Sequence, residues 1–321
     1  MNTIKRIAVL LALLFIFINA MAYMQAKSMT EFVTASTRTE SPENLNFLEK
    51  LKVLLTGVKI PRPENSLAPK DFDLQFEAHT YAGSKNETLE AWYIPSDGSE
   101  VIVLLFHGYA SSKESMLPLA AELHKLGVGI FMVDFFGSGG SSGTGTTIGH
   151  LEANDVGLSY GYARAVWPNS RLVLYGQSMG GASILRSIAL QKIKPEGLII
   201  EATYDTMLNT VENRFQVMGL PGFPLANILV FWGGVSAGFN AFNHNPSVYA
   251  RQVVIPTLVL HGENDSRVTT NQAKNLFASM AGWKHFSSFP HGGHGALFEA
   301  DPEQWKQACV ELINQVQRKK V

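Results

Sequence analysis

Cysteine is almost absent from this 321-residue chain, in which Cys309 is the only one. An intrachain disulfide is therefore excluded, and Cys309, within a predicted C-terminal helix, is expected to be a small buried hydrophobic residue. An excess of charge of one sign is also lacking, because 26 Lys and Arg residues are balanced by 27 Asp and Glu residues. A near-neutral chain lacks the basic surface that binds nucleic acid, so nucleic acid is excluded as a partner.

Motifs for cofactors and metals are lacking as well. The glycine-rich segment 137–147 contains no Gly-Lys-Ser or Gly-Lys-Thr, which excludes a Walker phosphate loop and favours a tight turn. His291 and His294 share one segment, but no carboxylate or cysteine stands at ligand spacing from them, and no His-Glu-x-x-His occurs. The sequence therefore predicts neither a cofactor nor a metal site.

A Gly-x-Ser-x-Gly motif with Ser178 at its centre is the most informative feature that is present. The apolar run 172–175 precedes it and the helix-like segment 182–191 follows it. In that context Ser178 lies on a strained strand-to-helix turn that exposes its hydroxyl, and the N–H of Met179 points to the atom that the hydroxyl attacks. The alternative interpretation is an ordinary glycine-rich turn with an exposed serine.

A nucleophilic serine needs a base within hydrogen-bond reach and a carboxylate that orients the base. Asp265 lies on the loop after the predicted strand 256–261, and His294 lies on the loop after the predicted strand 284–289. These residues are the predicted acid and base. His291 remains the alternative base, and Asp205, on the loop after an earlier strand, remains the alternative acid.

These motifs, together with two more, resemble the α/β-hydrolase-fold serine hydrolases, a group of esterases, lipases, thioesterases and serine aminopeptidases. Segment 104–109 is similar to the family's His-Gly-x strand end, and segment 134–141 is similar to its Asp-x-x-Gly-x-Gly-x-Ser turn. The resemblance covers residues 75–318, with the motifs in the family's order. It implies that the backbone N–H groups of Tyr109 and Met179 form an oxyanion hole.

Alternating strands and helices predict an α/β fold with a mostly parallel central sheet of about eight strands and helices on both faces. The first two strands alternate as an antiparallel pair does, and the others are mostly apolar, as buried parallel strands are. The predicted strands are 72–81, 89–94, 101–106, 129–134, 171–175, 197–202, 256–261 and 284–289.

A small apolar helical cap is predicted as an insertion at about residues 203–250. Residues 215–250 contain no Lys, Arg, Asp or Glu and are rich in aromatic residues. This composition indicates either a cap that packs over the sheet edge or an apolar lid that accepts acyl groups and contacts a membrane surface. An acyl ester or thioester substrate with a short to medium chain is therefore expected.

Two alternatives to that function remain open. A serine aminopeptidase or amidase of the same fold needs acidic residues in the cap for the substrate ammonium, and Glu212 is the one available at its start. A non-catalytic, hydrolase-like binding protein is disfavoured, because all three triad positions and the oxyanion strand end are present. A small-molecule acyl substrate is the expected partner.

The N-terminus has the pattern of a secretory signal. Lys5 and Arg6 precede the unbroken apolar run 7–18, and Ala20-Met21-Ala22 provides a cleavage site. The expected location is therefore export to the periplasm or the medium. The alternative is an uncleaved membrane anchor with the domain outside the cytoplasm, although segment 7–24 has 18 residues, short of the roughly 20 that a spanning helix needs.

The chain is expected to comprise three regions. Residues 1–22 form the signal peptide or membrane anchor, and residues 23–70 form a polar N-terminal extension with an amphipathic helix near 43–55. Residues 71–321 form the hydrolase domain with its cap insertion. Any membrane contact is expected through residues 1–22 or the apolar cap.

Overall fold

The computed structural model describes residues 3–34, 37–40, 44–84 and 86–318. The chain divides into two compact units. Unit 1 comprises Met1–Pro61 and Met207–His244, and unit 2 comprises Arg62–Thr206 and Asn245–Val321. Glu43, the predicted start of the amphipathic helix, and the end of the predicted domain after residue 318 lie outside the described residues.

Unit 2 contains one mixed sheet, which within the described residues has eight strands. They are β1 Glu77–Ala82, β2 Thr88–Ile94, β3 Val101–Phe106, β4 Gly129–Val133, β5 Arg171–Gln177, β6 Gly197–Glu201, β7 Thr257–Gly262 and β8 Lys284–Phe289. Their order in the sheet is β1-β2-β4-β3-β5-β6-β7-β8. Strand β2 is antiparallel to both of its neighbours, and the remaining pairs are parallel. The fold predicted from the sequence is thereby confirmed.

Helices account for most of the remaining regular structure. Those of unit 1 are α1 Thr3–Thr30, α2 Phe47–Thr56, α6 Met207–Val217 and α7 Leu225–Ala237. Those of unit 2 are α3 Leu117–His124, α4 Glu152–Val166, α5 Met179–Gln191, α8 Pro246–Ala250, α9 Thr270–Ser279, α10 Leu297–Ala300 and α11 Pro302–Arg318.

The core of unit 2 has two layers because successive side chains of a strand point to opposite faces of the sheet. In β3, Val101, Val103 and Leu105 pack on one face with residues of α3 and α11. Ile102 and Leu104 pack on the other face with residues of α4, α5 and α9. Both faces are covered, so the central strands β3, β4 and β6 are mostly apolar and fully buried.

The predicted start of the first strand, at residue 72, was wrong. The first strand begins at Glu77, because Pro69–Phe72 forms a 3-10 turn instead of extended backbone. Helix α4 begins at Glu152, whose carboxylate accepts hydrogen bonds from the N–H groups of Thr147 (2.8 Å) and Gly149 (3.0 Å). That folds residues 146–151 into a turn, which apolar periodicity does not reveal.

Unit 1 begins with a long apolar helix. Helix α1 has 28 residues, and its most apolar 18-residue window has a mean hydropathy of 2.5 with none of it buried. It is long and apolar enough to cross a membrane, as both a signal sequence and an anchor can be. Helix α2 is closed at its N-terminus by a capping box, in which Asn46 Oδ1 accepts from Glu49 N and Glu49 Oε2 accepts from Asn46 N.

Candidate active site

Ser178 lies at the turn between β5 and α5, with φ 51° and ψ −109°. Positive φ is rare for a residue with a side chain, and such strain is typical of a nucleophile elbow. The flanking glycines allow the turn: a Cβ on Gly180 would collide with the carbonyl oxygen of Phe106, and a Cβ on Gly176 would collide with the backbone N of Gly181. The hydroxyl therefore lies at the carboxyl end of the sheet.

The structure brings Ser178, His294 and Asp265 together. His294 Nε2 lies 3.0 Å from Ser178 Oγ, and His294 Nδ1 lies 2.8 Å from Asp265 Oδ2. Because an ionised carboxylate only accepts hydrogen bonds, Nδ1 carries the proton and Nε2 is left to accept from the serine hydroxyl. The arrangement can take a proton from Ser178 and stabilise the imidazolium that results.

Asp265 is held in its ionised form. Its Oδ1 accepts hydrogen bonds from the backbone N–H groups of Arg267 (2.8 Å) and Val268 (3.0 Å), and its side chain is fully buried. Burial by itself raises the pKa of this carboxyl, but His294 and the two N–H donors outweigh that effect and leave the pKa below its ordinary value. A fixed charge therefore faces His294.

His107 braces the loop that carries Tyr109. Its Nε2 accepts from the backbone N–H of Phe135 at 3.1 Å, so Nδ1 carries the proton and donates to the Gly108 carbonyl at 2.8 Å. Complete burial lowers the pKa of His107, in keeping with a neutral ring. A Cβ on Gly108 would stand 3.8 Å from the Ser178 Cβ, which shows how closely this loop passes the serine.

The alternative acid and base lie elsewhere in unit 2. His291 is exposed on the loop that carries His294. Asp205 is buried, and its Oδ1 accepts from the backbone N–H of Thr206 at 2.7 Å. The imidazole that contacts Ser178 is that of His294, and the carboxylate that contacts this imidazole is that of Asp265.

A buried polar group beneath the elbow, at the end of β6, was not predicted from the sequence. The Glu201 carboxylate is fully buried and accepts hydrogen bonds from the Tyr175 hydroxyl and from Gln177 Nε2, the latter at 3.1 Å. A Cβ on Gly295 would stand 2.5 Å from the same Gln177 nitrogen, so the loop of His294 rests on this group. The available signal was a carboxylate that ends the otherwise apolar strand 197–201.

The Asp134 carboxylate organises the turn 134–141. It accepts from Asn65 Nδ2 and from the Gly140 N–H, each at 2.8 Å, and pairs with the buried Lys113 ammonium. Its role is structural. Within the described ranges, no group of three or more His, Cys, Asp or Glu residues is arranged to hold a metal ion.

Comparisons with known proteins agree with the fold. Residues 98–217 match the family model described as serine aminopeptidase, S33, a range that includes Ser178 and ends before Asp265 and His294. The uncharacterized protein YfhR of Escherichia coli (strain K12) is 25% identical over 246 residues, covering 74% of this chain and 80% of YfhR. Protein bem46 of Schizosaccharomyces pombe is 26% identical over 259 residues, covering 78% of this chain and 82% of bem46.

Among solved structures, the Pyrococcus furiosus esterase Pf2001 superposes with a TM-score of 0.68 at 22% sequence identity. The superposition covers 79% of this chain and 96% of the esterase. The chain therefore is a member of the α/β-hydrolase fold class. The superposed structure is an esterase and the matching family model is named for aminopeptidase activity, so the fold alone does not determine a reaction or a substrate.

Proposed function

We propose that the protein is a serine hydrolase that cleaves an acyl ester or thioester through an acyl-enzyme intermediate. The observation that carries the proposal is the continuous hydrogen-bonded chain Ser178–His294–Asp265, with contacts of 3.0 and 2.8 Å, at an elbow of the α/β-hydrolase fold. This nucleophile, base and orienting acid make up the constellation that acyl transfer needs.

The proposed reaction uses Ser178 as nucleophile, His294 as base and Asp265 as orienting acid. His294 Nε2 accepts the proton of Ser178 as Oγ attacks the acyl carbonyl, and the backbone N–H groups of Tyr109 and Met179 stabilise the oxyanion. The tetrahedral intermediate collapses, and the alcohol or thiol leaves with the proton that His294 returns. Water then attacks the acyl-enzyme by the same route, and Ser178 regains its proton.

Substitution of Ser178 tests the catalytic role. We expect Ser178→Ala to lower kcat for nitrophenyl esters by at least ~10³-fold and to abolish fluorophosphonate labelling, with little effect on folding. Ser183→Ala is the matched control, because Ser183 lies one turn later in α5 and its hydroxyl donates to the Met179 carbonyl at 2.8 Å. Full esterase activity in Ser178→Ala would contradict the proposal, and failure of the folded wild type to label would favour a binding protein.

An uncharged segment supports an acyl substrate. Residues 215–250 contain no Lys, Arg, Asp or Glu, and a substrate ammonium would need a carboxylate partner. Each additional buried methylene adds only about 0.8 kcal/mol, and the insertion is short, so we expect a preference for short to medium acyl chains.

The second candidate function is aminopeptidase or amidase activity, which the match to the serine aminopeptidase family model favours. A chain-length series of nitrophenyl esters, measured beside acyl thioesters and aminoacyl amides, separates the two. We expect the highest kcat/KM for an ester or thioester. Faster hydrolysis of aminoacyl amides than of every ester would replace the esterase proposal with a peptidase.

The apolar N-terminal helix supports a location outside the cytoplasm for the hydrolase domain. Lys5 and Arg6 precede the apolar run, and basic residues at the start of such a segment favour retention of that end in the cytoplasm. Fractionation of cells that express the full chain tests this. Activity in the soluble cytoplasmic fraction would contradict it.

A further inference from the structure

Apolar side chains are exposed in three helices of unit 1. In α1 the exposure runs around the whole circumference of residues 3–17, beyond which the helix becomes partly buried. A helix that is apolar and exposed on every side is suited to surrounding lipid, because a protein partner covers one face. The exposed large residues of this part are Ile4, Ile7, Val9, Leu10, Leu11, Leu13, Leu14, Phe15, Ile16 and Phe17.

The second half of α1 is tied to α7 within unit 1. Trp232 Nε1 donates a hydrogen bond to Asn19 Oδ1 at 2.9 Å, and the Trp232 ring meets the Tyr23 ring edge-on, with centroids 5.5 Å apart. Asn19 precedes the predicted cleavage point after Ala22, and Tyr23 follows it. Cleavage there would separate two contacts that one tryptophan makes.

The same half of α1 also contacts the C-terminus of α2. Gln25 Nε2 donates to the carbonyl groups of Val53 (2.6 Å) and Leu54 (2.7 Å), in the last turn of α2, where a helix leaves carbonyl groups open to side-chain donors. Ser28 Oγ accepts from the Val58 N–H at 3.2 Å. These bonds fix α2 beside α1.

Helix α2 presents a narrow apolar stripe. At 100° per residue, its exposed apolar residues fall within an arc of about 100°, with the exposed Lys52 beside the arc. A short amphipathic helix with basic residues beside an apolar stripe is typical of the membrane interface. The stripe consists of Phe47, Leu48, Leu51 and Leu55, and α7 adds the exposed Phe231 and Val235.

From these contacts we infer that residues 1–22 are retained and that unit 1 is a membrane-bound unit. Helix α1 inserts into a lipid bilayer, and the α2 stripe with Phe231 and Val235 of α7 enters the same bilayer. At 1.5 Å per residue, the 28 residues of α1 extend about 42 Å, which exceeds the roughly 30 Å of a hydrocarbon core. The Asn19–Trp232 hydrogen bond then joins two apolar helices, as polar pairs do in membranes. The inference does not depend on catalysis.

Retention of α1 is tested on the native protein. We expect intact-mass analysis and N-terminal sequencing to place the start of the chain before Lys5, and alkaline carbonate to leave the protein in the membrane pellet. A mature chain that starts at Tyr23 would overturn the inference.

Insertion of α2 is tested in the full chain with an environment-sensitive fluorophore on Leu51→Cys. The matched control is Thr56→Cys, because Thr56 is exposed on the same helix and lies about 140° from Leu51 around the helix axis. Cys309 is fully buried and its thiol pKa is raised well above the ordinary value, so the label goes to the introduced thiol. The probe is a vesicle of phosphatidylcholine and phosphatidylglycerol.

We expect a blue shift and quenching by brominated lipid for Leu51→Cys, with at least a several-fold smaller response for Thr56→Cys. Equal responses at the two positions would overturn the inference. So would a blue shift without lipid quenching in a particle of twice the protein mass, because a second copy of the chain would then cover the stripe.

Discussion

Asp265 and Asp155 are buried carboxyl groups of unit 2 whose pKa values are displaced in opposite directions. Three hydrogen-bond donors, including His294, keep the pKa of Asp265 below its ordinary value despite burial. Burial dominates at Asp155, which accepts from the Phe136 N–H at 3.0 Å, and raises its pKa to about 8. The hydrogen bonds and the charge of His294 therefore lower the pKa of Asp265, whereas burial, with the nearby carboxylates of Glu152 and Glu87, raises that of Asp155.

We expect Asp265→Asn to lower kcat on the order of 10³- to 10⁴-fold, because the amide no longer fixes the His294 tautomer. The matched control is Asp205→Asn, which we expect to keep kcat within about threefold.

Since the pKa of Asp265 is lower in the folded state, its stabilising effect is present above its unfolded pKa and is lost as pH falls through the folded value. The difference in unfolding free energy between wild type and Asp265→Asn should therefore shrink on acidification. Equal loss of activity in Asp265→Asn and Asp205→Asn would contradict the assignment of Asp265 as the orienting acid.

Asp155 gives the opposite dependence on pH. Between its unfolded pKa near 3.8 and its folded pKa of about 8, the folded protein holds a proton that the unfolded chain has released, so this group makes stability fall as pH rises. We expect the Tm of Asp155→Asn to fall less than that of the wild type between about pH 5 and pH 8. The exposed Asp97→Asn is the control, and parallel Tm profiles for wild type and Asp155→Asn would show that Asp155 is ionised when buried.

Among the elements, the strands could be predicted almost in full, because buried parallel strands are short apolar runs bounded by polar loops. Ser178 and Asp265 were predictable for the same reason, since each follows such a run, whereas His294 follows the more polar strand β8 and was predicted from the order of the motifs. The support beneath them was not: Glu201 reaches Tyr175 and Gln177 across neighbouring strands. The sequence shows a carboxylate at the end of an apolar strand, but it does not show its partners on the neighbouring strand.

The tight approach of α5 to the sheet is a property of the elbow that glycine substitutions can test. A Cβ on Gly176 would collide with the Gly181 backbone, whereas a Cβ on Gly161, within α4, would meet nothing within 4 Å. We expect Gly176→Ala to lower both stability and activity, by about 2 kcal/mol or more in unfolding free energy. Gly161→Ala should instead be neutral or stabilise by up to about 1 kcal/mol, because alanine favours the helix. Denaturant unfolding of the two variants measures this, and equal effects would contradict the close approach.

At the scale of the whole molecule, the division of the chain could not be predicted. The cap insertion was expected at 203–250 and the extension at 23–70, each as a separate region. The structure places Met207–His244 and Met1–Pro61 in one compact unit. That unit depends on contacts between segments far apart in the chain, such as Lys50 Nζ to the Val217 carbonyl at 3.4 Å, and periodicity within either segment carries no information about them.

Deletion of residues 1–61 should therefore destabilise Met207–His244. The deletion removes Asn19 and Tyr23, which contact Trp232 of α7, and it removes Lys50, which donates to the Val217 carbonyl of α6. Both helices then lack partners that they have in the full chain. We expect limited proteolysis in detergent, read by mass spectrometry, to cut the deletion variant within residues 207–244 at least several-fold faster than the full chain. Deletion of residues 2–6 is the control, because it spares each of these contacts. Equal cleavage rates in all three proteins would mean that the insertion folds without the N-terminal segment, and the helical cap would then be an independent element as the sequence alone suggested.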